Sequence, residues 1–205
     1  MVEETTFASG ALRLEARLEQ SAGAARAAVI CHPHPLYGGS MDNNVVDALA
    51  AACRDAGCAI LRFNFRGVGG SDGGYGDFHG ECDDARAAIA FLRERTGDLP
   101  VVLAGYSFGA MVALQVGAEH AAVVRVVAVA PPLAMGEIAA PARVPTLLLA
   151  GDRDSYCPVA VVATYAARLA PGSASRVLAG ADHFFGGYEP AITAAVRDGL
   201  AEDPR

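Results

Sequence analysis

The feature that most constrains the fold is a series of short, largely apolar runs separated by segments with helical periodicity. A short apolar run bounded by turn residues is typical of a strand that is buried on both faces, as in a parallel sheet covered by helices. Six such runs predict strands: AAVIC (27–31), CAILRFNF (58–65), VVLAGY (101–106), VVRVVAVA (123–130), TLLLAG (146–151) and a weaker SRVLAG (175–180).

Helical segments fill the gaps between these runs. They are VVDALAAACRDAG (45–57), ECDDARAAIAFLRERTG (81–97), AMVALQVGAEH (110–120), PVAVVATYAARLA (158–170) and PAITAAVRDGLAE (190–202). Strands that alternate with helices in this way indicate right-handed crossovers and an open α/β sheet. Residues 11–19 alternate apolar and polar side chains, which indicates a half-buried strand, and residues 2–8 can pair with it through Ser9 and Gly10. We expect one domain over residues 1–205.

Charge and cysteine content exclude several classes of function. All sixteen basic residues are arginine, and the absence of lysine excludes Schiff-base chemistry, pyridoxal chemistry and a Walker A loop. A formal net charge of -7 without a basic stripe gives no reason to expect a nucleic-acid partner. Five cysteines without paired spacing indicate reduced core thiols, and we find neither a signal peptide nor a membrane-spanning apolar run. We therefore expect a cytoplasmic protein without a membrane partner.

The pentapeptide GYSFG (105–109) matches the pattern G-x-S-x-G. Because a predicted strand precedes it and a predicted helix follows it, its context is that of a nucleophile elbow, a strained turn that exposes a serine at a helix N-terminus. Amide donors and the helix dipole favour an oxyanion at that position. Ser107 is therefore a candidate nucleophile.

A serine hydroxyl is a weak nucleophile until a base removes its proton, and a third group must orient that base. Two later strands lead to suitable side chains: TLLLAG ends in GDRD (151–154), and SRVLAG leads to ADHFF (181–185). Both stretches follow the carboxyl ends of predicted strands, where open α/β sheets bind their ligands. The chain order serine, aspartate, histidine is the order expected for an α/β-hydrolase.

Together these stretches resemble the α/β-hydrolase superfamily, and within it the small lidless serine hydrolases related to dienelactone hydrolases. The resemblance covers most of residues 31–185 and rests on CHPHPLYGGSMDN, RFNFRGVGGSDG, GECDDARAAIAFL, AGYSFGA, a Pro-Pro pair, AGDRD and ADHFF. It implies a mostly parallel sheet of seven to eight strands with helices on both faces. We expect no cap domain, because only LAMGEIAAPARV separates Pro132 from Pro145. The nucleophile of dienelactone hydrolase itself resembles a cysteine elbow, whereas this chain has Ser107 at that position.

The resemblance also implies roles for individual residues. Ser107 matches the family's nucleophile and His183 its general base, while the family's G-x-x-D pattern places the acid at Asp154, with Asp152 as the alternative. The implied reaction is hydrolysis of carboxylic esters, or of related acyl bonds, in small or accessible substrates through an acyl-enzyme. It needs no cofactor and no metal. The same three groups would also serve a thioesterase or a peptidase, and the acyl group, leaving group and oligomeric state are not determined.

The loop HPHPLYGG (32–39) stands where the family supplies one amide of the oxyanion hole, and Phe108 would supply the other. Prolines have no N–H, so the candidates in the loop are His34, Leu36 and Tyr37, with His34 first. His32 would then brace the loop with its side chain.

The substrate pocket is expected to be open and lined by Leu36, Tyr37, Tyr106, Tyr156 and Phe184. Two rival functions remain. His-x-His after a strand also resembles barrel-shaped metal-dependent hydrolases, but those barrels usually need about 250 residues. A non-catalytic binding protein on the same fold is the second rival, although a binding role gives no reason to retain three spaced catalytic groups.

Overall fold

The computed structural model describes residues 2–135 and 143–201. Within these residues a single sheet contains eight strands in the order β1-β2-β4-β3-β5-β6-β7-β8. The strands are β1 (Val2–Ser9), β2 (Leu12–Glu19), β3 (Ala27–Cys31), β4 (Ala59–Phe63), β5 (Val101–Tyr106), β6 (Val123–Val129), β7 (Thr146–Gly151) and β8 (Ala174–Leu178). All six apolar runs therefore form strands, with shifts only at some of their ends.

The N-terminal hairpin and the parallel strands make up two parts of the sheet. Strands β1 and β2 are antiparallel, with Ser9 paired to Leu12 across a tight turn. Leu14, Ala16 and Leu18 of β2 are buried, so this segment forms the half-buried strand that its alternating pattern predicts. Strand β2 is antiparallel to β4, and every neighbouring pair from β4 to β8 is parallel.

All five segments with helical periodicity form helices. They are α1 (Asn44–Asp55), α2 (His79–Thr96), α3 (Phe108–Gly117), α4 (Val159–Ala166) and α5 (Glu189–Ala201). Helix α3 begins at Phe108 rather than at residue 110, because the helix follows the strand with only Ser107 between them. No helix in the described part of the chain is long and apolar enough to cross a membrane.

Helices cover both faces of the sheet. Helix α3 meets β6 through Gly117, where an added Cβ would lie 2.3 Å from Val126, and α5 meets β7 through Gly199, where an added Cβ would lie 2.8 Å from Leu147. Leu147 pairs with Val127, the neighbour of Val126, and neighbouring strand residues point to opposite faces. Helices α3 and α5 therefore lie on opposite faces. Helix α2 packs against α3, and α1 packs against α5.

The loops that contain the candidate site residues all lie at one edge of the sheet. The loops after β3, β5, β7 and β8 contain His34, Ser107, Asp154 and His183, and all four loops follow carboxyl ends of strands. The connection after β6 was expected to be too short for a cap domain, and residues 136–142 of that connection lie outside the described residues.

Candidate active site

Ser107 occupies the turn between β5 and α3 with a positive φ of 53° and a ψ of -118°. This backbone conformation is unfavourable for a residue other than glycine. The turn is so tight that an added Cβ on Gly105 would lie 2.1 Å from the carbonyl oxygen of Gly109. An added Cβ on Gly109 would lie 2.3 Å from the carbonyl oxygen of Cys31. Side chains at either position would clash with backbone, which explains the glycine spacing of the pentapeptide.

Three side chains from three different loops form a continuous hydrogen-bond chain. Ser107 Oγ lies 2.9 Å from His183 Nε2, and His183 Nδ1 lies 2.7 Å from Asp154 Oδ2. Because the carboxylate can only accept, Nδ1 carries the proton of the neutral imidazole, and Nε2 is left to accept the proton of the serine hydroxyl. The arrangement can therefore deprotonate Ser107.

The carboxylate of Asp154 is held in place by backbone amides. Its Oδ1 accepts the N–H groups of Tyr156 at 2.8 Å and Cys157 at 2.9 Å, while Oδ2 faces His183. Asp152 is exposed instead, and its Oδ1 accepts the N–H of Gly180 at 2.7 Å. The structure thus brings Asp154 to the histidine and uses Asp152 to connect the turns after β7 and β8.

Tyr106, the last residue of β5, holds the loop that carries His183. The Tyr106 hydroxyl donates a hydrogen bond of 2.7 Å to the backbone carbonyl oxygen of His183. Burial, together with the negative charges of Asp154 and Asp182, raises the pKa of Tyr106 and keeps the hydroxyl protonated as a donor. The ring of Tyr156 packs 4.8 Å from the imidazole of His183. The imidazole is therefore constrained on several sides.

His32 is fully buried at the end of β3, and both of its ring nitrogens contact backbone. Nε2 accepts the N–H of Phe65 at 3.0 Å, so Nδ1 carries the proton and donates to the carbonyl oxygen of Pro33 at 2.6 Å. Burial lowers the pKa of His32 to about 4, against the opposing effects of the Pro33 bond and of Asp84. This neutral ring has no free nitrogen for a metal ion, so its role is to brace the loop.

Hydrogen bonds within the loop distinguish the three amides that the sequence left as alternatives. The N–H of Leu36 donates to His34 Nδ1 at 3.2 Å, and the N–H of Tyr37 donates to the His34 carbonyl oxygen at 3.1 Å. Among the described residues, no hydrogen bond uses the N–H of His34. The N–H of Phe108, at the first position of α3, also has no acceptor within its helix. Both residues line the same cavity as Ser107.

The His34 side chain belongs to a cluster of aromatic rings. Its imidazole lies 4.7 Å from the ring of Tyr37, 4.7 Å from that of Phe108 and 5.0 Å from that of Tyr75. Burial lowers the pKa of His34, while the charge of Glu81 opposes the shift. A neutral imidazole therefore packs beside the nucleophile.

A cavity of about 650 Å³ opens above Ser107. Of the pocket residues expected from the sequence, four line it: Tyr37, Tyr106, Tyr156 and Phe184. Leu36 does not line the cavity, because it is the middle residue of a 3-10 turn (Pro35–Tyr37) and its side chain is exposed to solvent. No Asp, Glu or Arg is found among the described residues that line the cavity.

Sequence reasoning missed several lining residues, among them Phe78, Met111, Pro132 and Met135. Met111 could have been found, since it lies four residues after Ser107 and therefore one helical turn along α3. Phe78 gives no comparable signal, because its position depends on an unusual backbone conformation.

Known proteins are similar to this chain in sequence and in fold. The family described as "Serine aminopeptidase, S33" matches residues 23–142. An uncharacterized protein of Rickettsia prowazekii is 34% identical over 84% of this chain and 77% of its own length. An α/β serine hydrolase homologue from Coxiella burnetii has a TM-score of 0.86 at 32% identity and covers 97% of both chains. An α/β serine hydrolase without lid from Xanthomonas campestris has a TM-score of 0.87 at 29% identity, covering 98% of this chain and 94% of its own.

Proposed function

The chain belongs to the lidless serine hydrolases of the α/β-hydrolase superfamily, and from this premise we propose that it hydrolyses carboxylic esters through an acyl-enzyme intermediate. The observation that carries the proposal is the unbroken hydrogen-bond chain from Ser107 through His183 to Asp154. Such a chain activates a serine for attack on a carbonyl carbon. Small or accessible esters are the substrates that suit an open cavity.

In the proposed reaction, Ser107 Oγ attacks the ester carbonyl carbon while His183 Nε2 takes the hydroxyl proton. Asp154 keeps the imidazole in the required tautomer and stabilises its charged form. The carbonyl oxygen becomes an oxyanion, and we assign its binding to the N–H groups of Phe108 and His34, for which no acceptor is found among the described residues. His183 then gives its proton to the leaving alcohol, and water cleaves the acyl-enzyme by the same steps.

The cavity supports esters over the substrates of an aminopeptidase. An aminopeptidase holds the free α-ammonium group of its substrate, and removing an ammonium group from water without a partner is costly. The described lining residues include no carboxylate that could pair with such a group. An uncharged ester has no such requirement.

A non-catalytic binding role is the alternative. Against it stands the positive φ of Ser107, since a strained residue of this kind costs on the order of 1–3 kcal/mol and persists where function uses it. Binding alone gives no reason to hold a serine in this conformation beside a histidine.

The experiment is the hydrolysis of p-nitrophenyl butanoate by the parent chain and by two serine variants. Ser107→Ala should lose roughly 10⁴-fold or more of the rate, because the three groups act as a unit. Ser175→Ala is the matched control, since Ser175 is exposed on β8, and it should keep the parent rate. A parent chain that hydrolyses no ester would support the binding role, and turnover of a p-nitroanilide with a free α-amino group would favour the aminopeptidase.

The proposed place of action is the cytoplasm. Cys31, Cys53, Cys58, Cys82 and Cys157 are all buried and carry free thiols. Burial raises the pKa of the Cys157 thiol to about 12, although this residue lies directly beside the site. Free thiols packed in the core suit a reducing compartment.

A further inference from the structure

Phe78, the residue before α2, has an unusual backbone conformation, with φ of 74° and ψ of -43°. Asp77 before it also has a positive φ, of 52°. For a residue with a bulky side chain, this conformation is a genuine outlier. Outliers of this kind persist only where the surrounding structure enforces them, and they are concentrated at functional sites.

Hydrogen bonds on both sides of Phe78 enforce the conformation. The fully buried Glu81 accepts the N–H of Gly76 at 2.8 Å through its Oε1, and the N–H of Gly80 donates to the carbonyl oxygen of Gly76 at 3.0 Å. The carbonyl oxygen of Phe78 itself accepts the N–H of Cys82 at 3.0 Å. The first turn of α2 therefore fixes the segment that precedes it.

The result of this conformation is the position of one aromatic ring. Phe78 lines the cavity above Ser107, and its ring meets the ring of Phe108 edge-on, with centroids 5.8 Å apart. Met111 lines the cavity as well, and it lies one helical turn from Ser107, whose carbonyl oxygen accepts the Met111 N–H at 3.2 Å.

Reaction geometry assigns the two sides of the cavity to the two parts of an ester. The leaving oxygen must approach His183 Nε2 to receive its proton, so the alcohol extends over Tyr156 and Phe184. The acyl chain leaves the tetrahedral carbon in a direction away from both the histidine and the oxyanion amides. Among the remaining lining residues, Met111 is buried and Phe78 is half-buried, so these two offer the acyl chain an apolar contact surface.

The two sides differ in how much they confine a substituent. Tyr156 and Phe184 are 45% and 65% exposed, so an alcohol lying over them remains largely in solvent. Met111 and Phe108 are each 8% exposed, and Phe78 is half-buried with its ring against that of Phe108. A substituent on this side meets packed apolar walls, where a few methylene groups decide between fit and clash.

We propose that Phe78 is the residue that determines acyl-chain length, with its ring and Met111 forming the end wall of an acyl subsite. The substrates are then esters of short, uncharged apolar acids with a wide range of alcohols. This inference rests on the proposed ester hydrolysis. It adds that the cavity is selective for the acyl part of the ester and tolerant of the alcohol part.

The test compares two series of esters. The first varies the acyl chain, from p-nitrophenyl acetate to p-nitrophenyl decanoate, and the second varies the alcohol in butanoate esters of methanol, phenol and naphthol. Phe78→Ala should raise the ratio of kcat/KM for octanoate to that for butanoate by about tenfold or more, the scale of discrimination by an apolar pocket. It should leave the ratios in the alcohol series unchanged. Phe184→Ala removes an exposed ring on the alcohol side and should leave the acyl-series ratio unchanged, which makes it the matched control.

A second pair of measurements separates the ring from the backbone. Phe78→Gly removes the ring and also relieves the strain of the positive φ. It should show the same shift in acyl selectivity as Phe78→Ala, but it should unfold at a higher urea concentration than Phe78→Ala does. Because it relieves strain, the glycine variant also serves if the alanine variant does not fold.

The failures of the two proposals can be told apart. A parent chain without ester turnover overturns the proposed function and this inference with it. A parent chain that hydrolyses esters, with Phe78 variants that change all acyl chains by the same factor or that change the alcohol series instead, overturns the acyl subsite alone.

Discussion

Nδ1 of His32 donates a hydrogen bond to the carbonyl oxygen of Pro33, the next residue in the chain, at 2.6 Å. In a trans peptide the carbonyl and the following N–H point in opposite directions, so a bond that fixes the Pro33 oxygen also fixes the N–H of His34. The bond from Phe65 N–H to His32 Nε2 selects the tautomer that makes this possible. Two buried contacts thus orient the amide that we propose for the oxyanion hole.

The role proposed for the His34 backbone predicts different effects for two substitutions at one position. His34→Pro removes the N–H and should lower kcat by about a hundredfold or more, the scale for one oxyanion donor. His34→Ala retains the N–H and should keep substantial activity, although it removes the acceptor of the Leu36 N–H. Steady-state kinetics on a short-chain ester measure both. Equal losses in the two variants would show that the imidazole matters more than the amide.

The buried His32 predicts a specific loss of stability in acid. Its folded-state pKa of about 4 lies below the value of 6.5 for an unperturbed histidine, so the unfolded chain binds the additional proton between these pH values. The contribution is therefore complete above about pH 6.5 and is lost as the pH falls towards 4, with a magnitude of about 3 kcal/mol.

Urea unfolding at pH 7 and pH 4 measures this contribution when the parent chain is compared with His32→Gln, whose side chain does not titrate. The free energy of unfolding should fall by about 3 kcal/mol more in the parent chain than in the variant. The carboxylates titrate in both chains and cancel in the comparison. The same fall in both chains would show that His32 is not held neutral in the folded state.

The two aspartates after β7 should respond differently to the same substitution. Asp154→Asn leaves the imidazole without a carboxylate acceptor and should reduce kcat by roughly 10⁴-fold. Asp152→Asn affects only the bond to Gly180 and should cost much less activity. Circular dichroism is the check that both variants are folded. The opposite order of activities would make Asp152 the acid.

Chelation should not affect the rate. His32 has backbone partners at both ring nitrogens, and Nδ1 of His34 accepts the N–H of Leu36, so His32 offers a metal no nitrogen and His34 offers only Nε2. Prolonged dialysis against a strong chelator should leave ester hydrolysis unchanged, as measured against a mock-dialysed sample. Loss of activity that a divalent metal restores would return this stretch to the metal-dependent alternative.

Much of the fold and the position of the nucleophile followed from local signals in the sequence. Runs such as AAVIC and TLLLAG coincide with their strands because burial on both faces makes nearly every position apolar, with Thr146 the one clearly polar residue in these two runs. The elbow around Ser107 was found because its two glycines are required by backbone contacts within a few residues. Such constraints act between residues that are close in the chain, so they produce a pattern that can be recognised in the sequence.

The remaining features depend on tertiary contacts that spacing does not reveal. Asp152 and Asp154 lie two residues apart, and only the fold of the turn exposes one and buries the other. Leu36 was expected in the pocket, but the 3-10 turn directs its side chain to solvent. Phe78 enters the cavity through a backbone conformation that phenylalanine rarely adopts, and that conformation depends on bonds within the first turn of α2.

The most direct test of the central claim is to find which residue a serine-directed organophosphate modifies. After reaction with diisopropyl fluorophosphate, intact mass and peptide mapping should show one adduct per chain, on Ser107, and the loss of ester hydrolysis should follow the labelled fraction. Ser107→Ala should not react, whereas Ser175→Ala should react like the parent chain. Labelling at another residue, or full activity in a chain whose Ser107 is labelled, would contradict the assignment of Ser107 as the nucleophile.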